Sequence, residues 1–401
     1  LRKKIKVHVI WFVYSPEKQN LDNIEIDEDQ TVLFIQDYSN AVKVIKKMKP
    51  NIIYAGAHPG FLDYAFSIAG KFLKIPVLSP MQSDFVLPQM TRNVVKVNFT
   101  RFFQSSVPTD TIKTKKQVMR RGRFFVFKYI FLVKTQFSVK LNLISIIKNF
   151  FMLLKINLSD NRDTIDPRFM NSLHWLEGEM LLEPILKAGF PKNTLTLTGN
   201  PLYDDVFQNI KNISSVKSDK IQVLLITASL YEHGFWTKKQ RDEILEKTLS
   251  VLSKSKNYVS TIVKIHPTSE ILSDYQSILN KVDSTIPIYQ KENILSFIQN
   301  SDVIISFSSF TSAILQAVAS KKPIIICNFH DLGNDFLVDS GIALECKDPK
   351  NLISLIQEIK SNPPSVEKID KFITNYFYKP DGLAAERLSE SIINLCKNNY
   401  K

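Results

Sequence analysis

Ser301-Asp302-Val303-Ile304-Ile305-Ser306-Phe307-Ser308-Ser309-Phe310-Thr311-Ser312-Ala313 sets the terms for the whole chain. An apolar run of the buried, parallel-sheet type ends in a turn crowded with hydroxyls, and a helical pattern opens directly behind it. In a doubly wound sheet such a turn lies at the carboxyl edge of the strands, where ligands bind. Backbone N–H groups at a helix N-terminus, reinforced by Ser and Thr hydroxyls, form a site for phosphate oxygens. A plain helix cap needs one hydroxyl. Here Ser308, Ser309, Thr311 and Ser312 supply four, which points to phosphate contact.

Outward from that turn the pattern alternates strand and helix. Residues 221–227 form a continuous apolar strand, 238–253 a polar amphipathic helix, 259–265 a strand and 271–279 a helix. Residues 286–288, 303–306 and 324–327 read as further strands, with helices at 294–299, 311–319 and 351–359 and a last helix from Gly382. Toward the N-terminus, 6–14, 31–35, 51–55 and 75–78 read as strands. A helix at 40–49, stopped by Pro50, and another at 61–73 lie between them. Alternation at this spacing means βαβ units and parallel sheets. The fold class is α/β, with two Rossmann-like doubly wound halves joined near residue 200.

Composition agrees. A chain of 401 residues exceeds one core, and 44% hydrophobic residues suffice for two. Cys327, Cys346 and Cys396 are odd in number and show no CxxC spacing, so neither a disulfide framework nor a zinc site is expected; no metal and no cofactor enters the reading. No signal-peptide pattern is visible, so a reducing, cytoplasmic setting is expected. No glycine precedes Gly56, which leaves open a divergent first loop or a first strand upstream of Leu1.

The net charge of +13 is concentrated. Between Thr111 and Ser159 lie eleven basic residues and no Asp or Glu. Within this segment Arg120, Arg121, Arg123 and Lys128 alternate with Phe124, Phe125, Phe127 and Phe131. Lysines interrupt every apolar run before the ~20 residues needed to span a bilayer. Cationic, aromatic helices without acids suit an anionic membrane surface, and the abundance of large aliphatics disfavours nucleic acid as partner. A helical hairpin with a buried face and an exposed basic face is the plainer alternative.

Other candidates sit at strand ends. His266 closes 259–265 and is held extended by Pro267, placed to donate to a phosphate oxygen. Thr227-Ala228-Ser229-Leu230-Tyr231-Glu232-His233-Gly234 follows the first strand of the second half; Ser229 is a phosphate candidate, and Glu232 with His233 an acid/base pair, against a solvated loop. Gly199-Asn200-Pro201 is a tight-turn signal that serves either as a donor contact or as a plain hinge. His58, in Gly56-Ala57-His58-Pro59-Gly60 with Asp63 beyond, is the first choice for an acceptor-activating base; Asp84, Glu177 and Glu179 are weaker choices.

These motifs, in this order, resemble the GT-B glycosyltransferase fold and its relatives. Leu197-Thr198-Gly199-Asn200-Pro201 resembles the segment entering the interdomain hinge of non-hydrolysing UDP-N-acetylglucosamine 2-epimerases and surface-polysaccharide transferases. Tyr378-Lys379-Pro380-Asp381-Gly382-Leu383-Ala384-Ala385-Glu386-Arg387 is similar to their terminal Asp-Gly-x-Ala-x-x-Arg-Ile pattern, which packs the last helix back near the cleft. The epimerases' Ser-Gly-Gly after the strand ending at Ser306 is replaced by Ser308-Ser309-Phe310. Their His-Arg-Arg-Glu-Asn run is absent, although His233 lies near. His266-Pro267 followed by paired serines resembles instead the CDP-glycerol glycerophosphotransferases and bacterial sialyl- and polysialyltransferases. In those families the His and the Ser pair hold the nucleotide phosphates, so the resemblance implies that His266, Ser308, Ser309 and Thr311 bind the donor.

The expected organisation is an N-terminal acceptor domain over 1–110, a basic membrane-facing insertion over 111–160, a return to the first domain and hinge over 161–200, a donor-binding domain over 201–380 and a C-terminal helix over 381–401. The expected activity is metal-independent transfer of a sugar or polyol phosphate from a nucleotide-activated donor, in a cleft between the domains. The acceptor is lipid-linked or an envelope polysaccharide, and the protein is peripheral on the inner membrane face. The alternatives are a 2-epimerase-like isomerase and a non-catalytic binding protein of the same fold.

Overall fold

The computed structural model describes residues 5–14, 27–56, 60–81, 113–158, 170–209, 218–232, 235–309, 311–329 and 335–398, with backbone alone at 113–122 and 155–158. His58, Asp84 and His233 lie outside the described residues. The chain forms two compact units, divided between Gly199 and Asn200, and Ala384–Lys401 returns to the first.

In the first unit β1 (Val9–Val13) pairs in parallel with β2 (Gln30–Phe34). Helix α1 (Ala41–Met48) begins at Asn40, whose side chain accepts the Lys43 N–H at 2.9 Å, and ends at Lys49 in the left-handed region just before Pro50. Then come β3 (Ile53–Tyr54), α2 (Phe61–Leu73) and β4 (Val77–Met81). The fourth strand starts two residues later than the apolar run suggests. The Ile75 N–H still bonds back to Gly70 O at 2.9 Å, so the chain does not extend until α2 is closed. After α3 (Lys113–Ser138) and α4 (Leu143–Leu158), β5 (Leu173–Leu176), α5 (Leu182–Lys187) and β6 (Leu195–Leu197) complete an all-parallel sheet of order β3-β4-β5-β6.

The basic segment is built into this unit. Phe131 and Leu132 are 1% exposed and Leu153 is fully buried, sharing a core with Phe61, Tyr64 and Ala65 of α2. Phe124 stacks on Tyr14 at 4.3 Å between ring centroids, Phe125 meets Phe61 edge-on at 5.5 Å, and Phe131 lies 5.6 Å from Phe127 and 6.0 Å from Phe66. These aromatics hold the helix to its neighbours, so Phe131 is a core residue and not a membrane contact. Phe124, Phe125 and Phe127 likewise spend their rings on protein. Lys128 is half-buried with its ammonium 4.6 Å over the Phe124 ring, and burial lowers its proton affinity. Arg123 is exposed; the side chains of Arg120 and Arg121 lie outside the described residues. Among the described residues no helix is long and apolar enough to cross a membrane.

The second unit runs α6 (Asp204–Asn209), β7 (Ile221–Ile226), α7 (Lys238–Lys254), β8 (Val259–Lys264), α8 (Leu272–Val282), β9 (Ile288–Tyr289), α9 (Ile294–Asn300), β10 (Val303–Ser306), α10 (Ser312–Ala319), β11 (Ile324–Cys327), α11 (Phe336–Asp339), β12 (Ala343–Cys346), α12 (Leu352–Ser361) and α13 (Val366–Phe377). Its six parallel strands lie in the order β12-β11-β10-β7-β8-β9. Numbered within the unit this is 3-2-1-4-5-6, the doubly wound order, and it reverses between β7 and β10. The core lies on both faces: Val223, Leu225, Val263, Val303, Ile305 and Ile325, in register with one another, line one, and Leu224, Ile304, Ile324 and Ile326 the other, all almost wholly buried. Helix α14 (Ala384–Asn398) packs on the first unit, where Arg387 Nε donates to Thr198 O at 2.8 Å.

Gly70 marks the tightest approach of α2 to its sheet. A Cβ there would lie 2.5 Å from Val77 Cγ2 and 3.2 Å from Ile75 O. Gly70→Ala is expected to destabilise the protein by about 1–3 kcal/mol through overpacking. A denaturation midpoint equal to the parent's would contradict that packing.

Candidate functional site

The carboxyl ends of β7, β8 and β10 carry the loops that matter, because the sheet order reverses between β7 and β10. Both β8 and β10 pair with β7, so His266 and the serine turn leave strands separated by about 10 Å, twice the inter-strand spacing.

Beyond β10 the turn is tightly tied. The Ser306 hydroxyl, fully buried, donates to Ser308 O at 2.9 Å and accepts the Ser308 N–H at 3.3 Å. The Ser309 N–H donates to Asp335 Oδ2 at 3.3 Å, while Asp335 Oδ1 caps α11 through the Leu337 and Val338 N–H groups. Burial raises the Asp335 carboxyl above its ordinary range, with the contacts from Ser309, Leu337 and Val338 opposing it. Thr311 caps α10, its Oγ1 accepting the Ile314 N–H at 3.2 Å. Ser308 and Ser309 are 4% and 0% exposed. Phe310 lies outside the described residues. The Ser306 and Thr311 hydroxyls therefore shape the turn and its cap.

His266 is exposed. Its Nδ1 accepts the Thr268 and Ser269 N–H groups at 3.2 and 3.1 Å. Two donors at Nδ1 occupy its lone pair, which places the neutral ring's proton on Nε2. A donor N–H is thereby presented at a strand end.

Glu270, 3% exposed, escaped the sequence reading. Its Oε2 accepts the Thr227 hydroxyl at 2.5 Å and the His266 N–H, and its Oε1 accepts the Ser229 N–H at 3.1 Å and the Tyr275 hydroxyl at 2.6 Å. One carboxylate thus ties the loop after β7 to the loop after β8 and to α8. Burial, then the Glu270 charge, holds the Tyr275 phenol well above its ordinary value, so it remains a donor. A sequence signal existed: Glu270 is the lone acid between Glu246 and Asp274, in a stretch with Lys254, Lys256 and Lys264.

The loop after β7 differs from expectation. Ala228 and Ser229 both occupy the left-handed region, at φ 66° and 53°, a costly conformation for non-glycine residues. Ser229, 1% exposed, shares a 2.8 Å hydroxyl contact with Ser269, so its side chain braces the loop. Glu232 is no open base: its side chain is 7% exposed and faces Arg241 at 3.5 Å. Burial pushes its carboxyl up to about 7, against the pull of Arg241. Arg241, also unforeseen, has its guanidinium 4.9 Å from the ring centroids of both Tyr231 and Tyr275 and bonds Asp242 and Asp274.

Gly199 and Asn200 build a turn. Gly199, at φ 79°, sends its N–H to Leu176 O at 3.2 Å alongside that of Thr198, and the Asn200 side chain accepts the Leu202 N–H at 3.0 Å. Their plain role as a chain turn is what the geometry displays. Glu177 is buried and Glu179 exposed in the first unit, and Gly56 donates its N–H to Asp63 at 2.7 Å. Among the described residues no group of three or more His, Cys, Asp or Glu is placed to hold a metal ion.

No family model matches the chain, and no curated protein matches it. Solved structures do. The UDP-GlcNAc 2-epimerase of Methanocaldococcus jannaschii, in complex with UDP-GlcNAc and UDP, superposes with a TM-score of 0.50 at 15% identity, over 97% of this chain and 100% of that one. A putative UDP-N-acetylglucosamine 2-epimerase from Listeria monocytogenes gives 0.50 at 12% identity, over 97% and 96%. The wall teichoic acid polymerase TagF aligns over 57% of this chain and 59% of its own, at 15% identity and a TM-score of 0.37, too loose to carry an argument. The likeness shows the fold: two Rossmann-like units of the GT-B type.

Glu232 supplies a test of the site's electrostatics. Its folded-state proton affinity exceeds the unfolded value of 4.5, so the stability it contributes is full below that pH and is lost as pH rises toward 7. Between pH 4.5 and 7 the melting temperature of Glu232→Gln is expected to fall less than the parent's. Parallel curves across that window would refute the burial.

Proposed function

We propose that the chain transfers a sugar or polyol phosphate from a nucleotide-activated donor, holding the donor's phosphates in the second unit at the ends of β8 and β10. The observation that carries this is the His266 ring: its Nδ1 is committed to the Thr268 and Ser269 N–H groups, so Nε2 offers a fixed donor beside the point where the sheet order reverses. Across β7, the N-terminus of α10 adds the partial positive charge of its first N–H groups, with Thr311 and the Ser308–Ser309 turn setting its approach. The two leave strands about 10 Å apart, a spacing across which the imidazole and the helix end would share the charge of a diphosphate. The departing nucleotide, a nucleoside diphosphate or monophosphate according to the donor, leaves more readily when its charge is so stabilised, while the acceptor oxygen takes the transferred group.

The acceptor is proposed to be a lipid-linked or envelope-polysaccharide group reached from the inner face of the membrane, with His58 as the base. Isomerisation of a sugar nucleotide is the second reading. It is favoured by the fold likeness to 2-epimerases over nearly the whole chain and opposed by Ser308-Ser309-Phe310 at the phosphate turn.

A thermal-shift series with CMP, CDP, UDP and GDP tests the donor half. One of them is expected to stabilise the protein, by about 2.7 kcal/mol at a concentration of 100 Kd. In His266→Asn the amide oxygen replaces Nδ1 as acceptor and Nε2 is deleted; this variant should fold as the parent does and lose at least about tenfold in affinity for that nucleotide, a loss of about 1.4 kcal/mol. Undiminished nucleotide affinity in His266→Asn would overturn the assignment. Turnover of the matching sugar nucleotide without any acceptor would favour isomerisation.

A further inference from the structure

The aromatic face of the basic hairpin is taken up by protein, and among the described residues the opposite face is left exposed. Along α3, Val126, Ile130 and Phe137 are 53%, 43% and 56% exposed. At 100° per residue these three fall within an arc of about 40°, with the exposed Arg123 and Lys134 on its flank. Along α4, Leu143, Ile144, Ile147 and Phe151 are 61%, 67%, 48% and 62% exposed and share an arc of about 100°, bordered by the exposed Lys148. The two helices are joined by a short turn carrying the exposed Lys140, which brings the end of one stripe to the start of the other. Most exposed apolar residues on a protein are scattered singly; seven large ones in two helical stripes are not.

We infer that this solvent-facing side of α3 and α4 docks on an anionic lipid bilayer, with its apolar stripes in the acyl boundary and its cations on the headgroups. Charge selects this occupant. From Thr111 to Ser159 the chain has eleven basic residues and no acid, so a second copy of the same face would meet it cation to cation. Headgroup phosphates complement that charge, and a helix lying in the interface accommodates Phe, Ile and Leu beside Lys and Arg. The inner faces of the same helices, through Phe131, Leu132 and Leu153, root the hairpin in the core of the first unit, so docking places that whole unit against the lipid surface. The inference deepens the acceptor half of the function proposed above and rests on it only for the purpose of attachment.

Flotation of the whole chain with vesicles of phosphatidylcholine alone or with 30% phosphatidylglycerol tests it. The parent is expected to float with the anionic vesicles, to stay behind with the neutral ones, and to be released as salt is raised. Exchanging Phe137, Ile144, Ile147 and Phe151 for Ser alters exposed positions, so melting temperature should be kept while vesicle partitioning falls at least tenfold. Lys134→Glu with Lys140→Glu and Lys148→Glu should do the same. A parent that ignores anionic vesicles, or a four-serine variant that floats as the parent does, overturns the inference. So does a parent that dimerises in solution and becomes monomeric on the four-serine exchange, since a second copy would then cover the face. A chain that floats but binds no nucleotide keeps this surface and removes the proposed transferase reading.

Discussion

The second unit depends, at the carboxyl edge of its sheet, on the carboxylate of Glu270. Parallel strands end in separate loops, each free to move unless something crosses between them. Glu270 makes that crossing: Thr227 and Ser229 bond it from beyond β7, His266 from beyond β8 and Tyr275 from α8. Hydrogen bonds to a charged group contribute roughly 1.5–3 kcal/mol each, and a buried carboxylate stripped of partners is strongly unfavourable, so these four bonds stand or fall together. The left-handed pair Ala228 and Ser229 persists because the surroundings hold it there.

Around that carboxylate lies a second layer. The Arg241 guanidinium, sandwiched between Tyr231 and Tyr275, supplies the positive charge that a site with Glu270, Glu232 and Asp274 requires. Lys264, buried at the end of β8, donates to the carbonyls of Ile265 and Gln290 and fixes the strand end from which His266 projects. The backbone at this strand end is thus fixed by Lys264 and Glu270, and the imidazole by the Thr268 and Ser269 N–H groups. A donor held this way is already ordered before any acceptor meets it.

The strands of the second unit were legible because burial on both faces writes them as continuous β-branched runs. Residues 303–306 and 324–327 match β10 and β11 to the residue. Strand β12 was missed: its Ala343-Leu344-Glu345-Cys346 carries an acid, and it borders the sheet, where only one neighbour enforces burial. Helix α13 was missed although Ile369, Ile373, Tyr376 and Phe377 share one buried face, because Pro363 and Pro364 directly before it signal a loop. In the basic hairpin the cations were legible and the orientation was not. Periodicity alone leaves either apolar arc free to face the core, and Phe131 rather than Ile130 packs there because its ring fills the space beside Phe66. At the candidate site, the place of His266 just beyond a strand could be anticipated from the apolar run before it. The bonds that aim it could not, since Glu270 acts on residues up to 43 positions away.

The dependence of nucleotide binding on this carboxylate can be measured by titrating Glu270→Gln with nucleotide. A glutamine keeps one acceptor oxygen and turns an NH2 toward donors, so the loops beyond β7 and β8 lose their common anchor while the rest of the sheet core is untouched. The expected result is a folded protein whose circular dichroism matches the parent's and whose nucleotide affinity falls at least about tenfold, as in His266→Asn. A folded Glu270→Gln protein that binds the same nucleotide with the parent's affinity would contradict it.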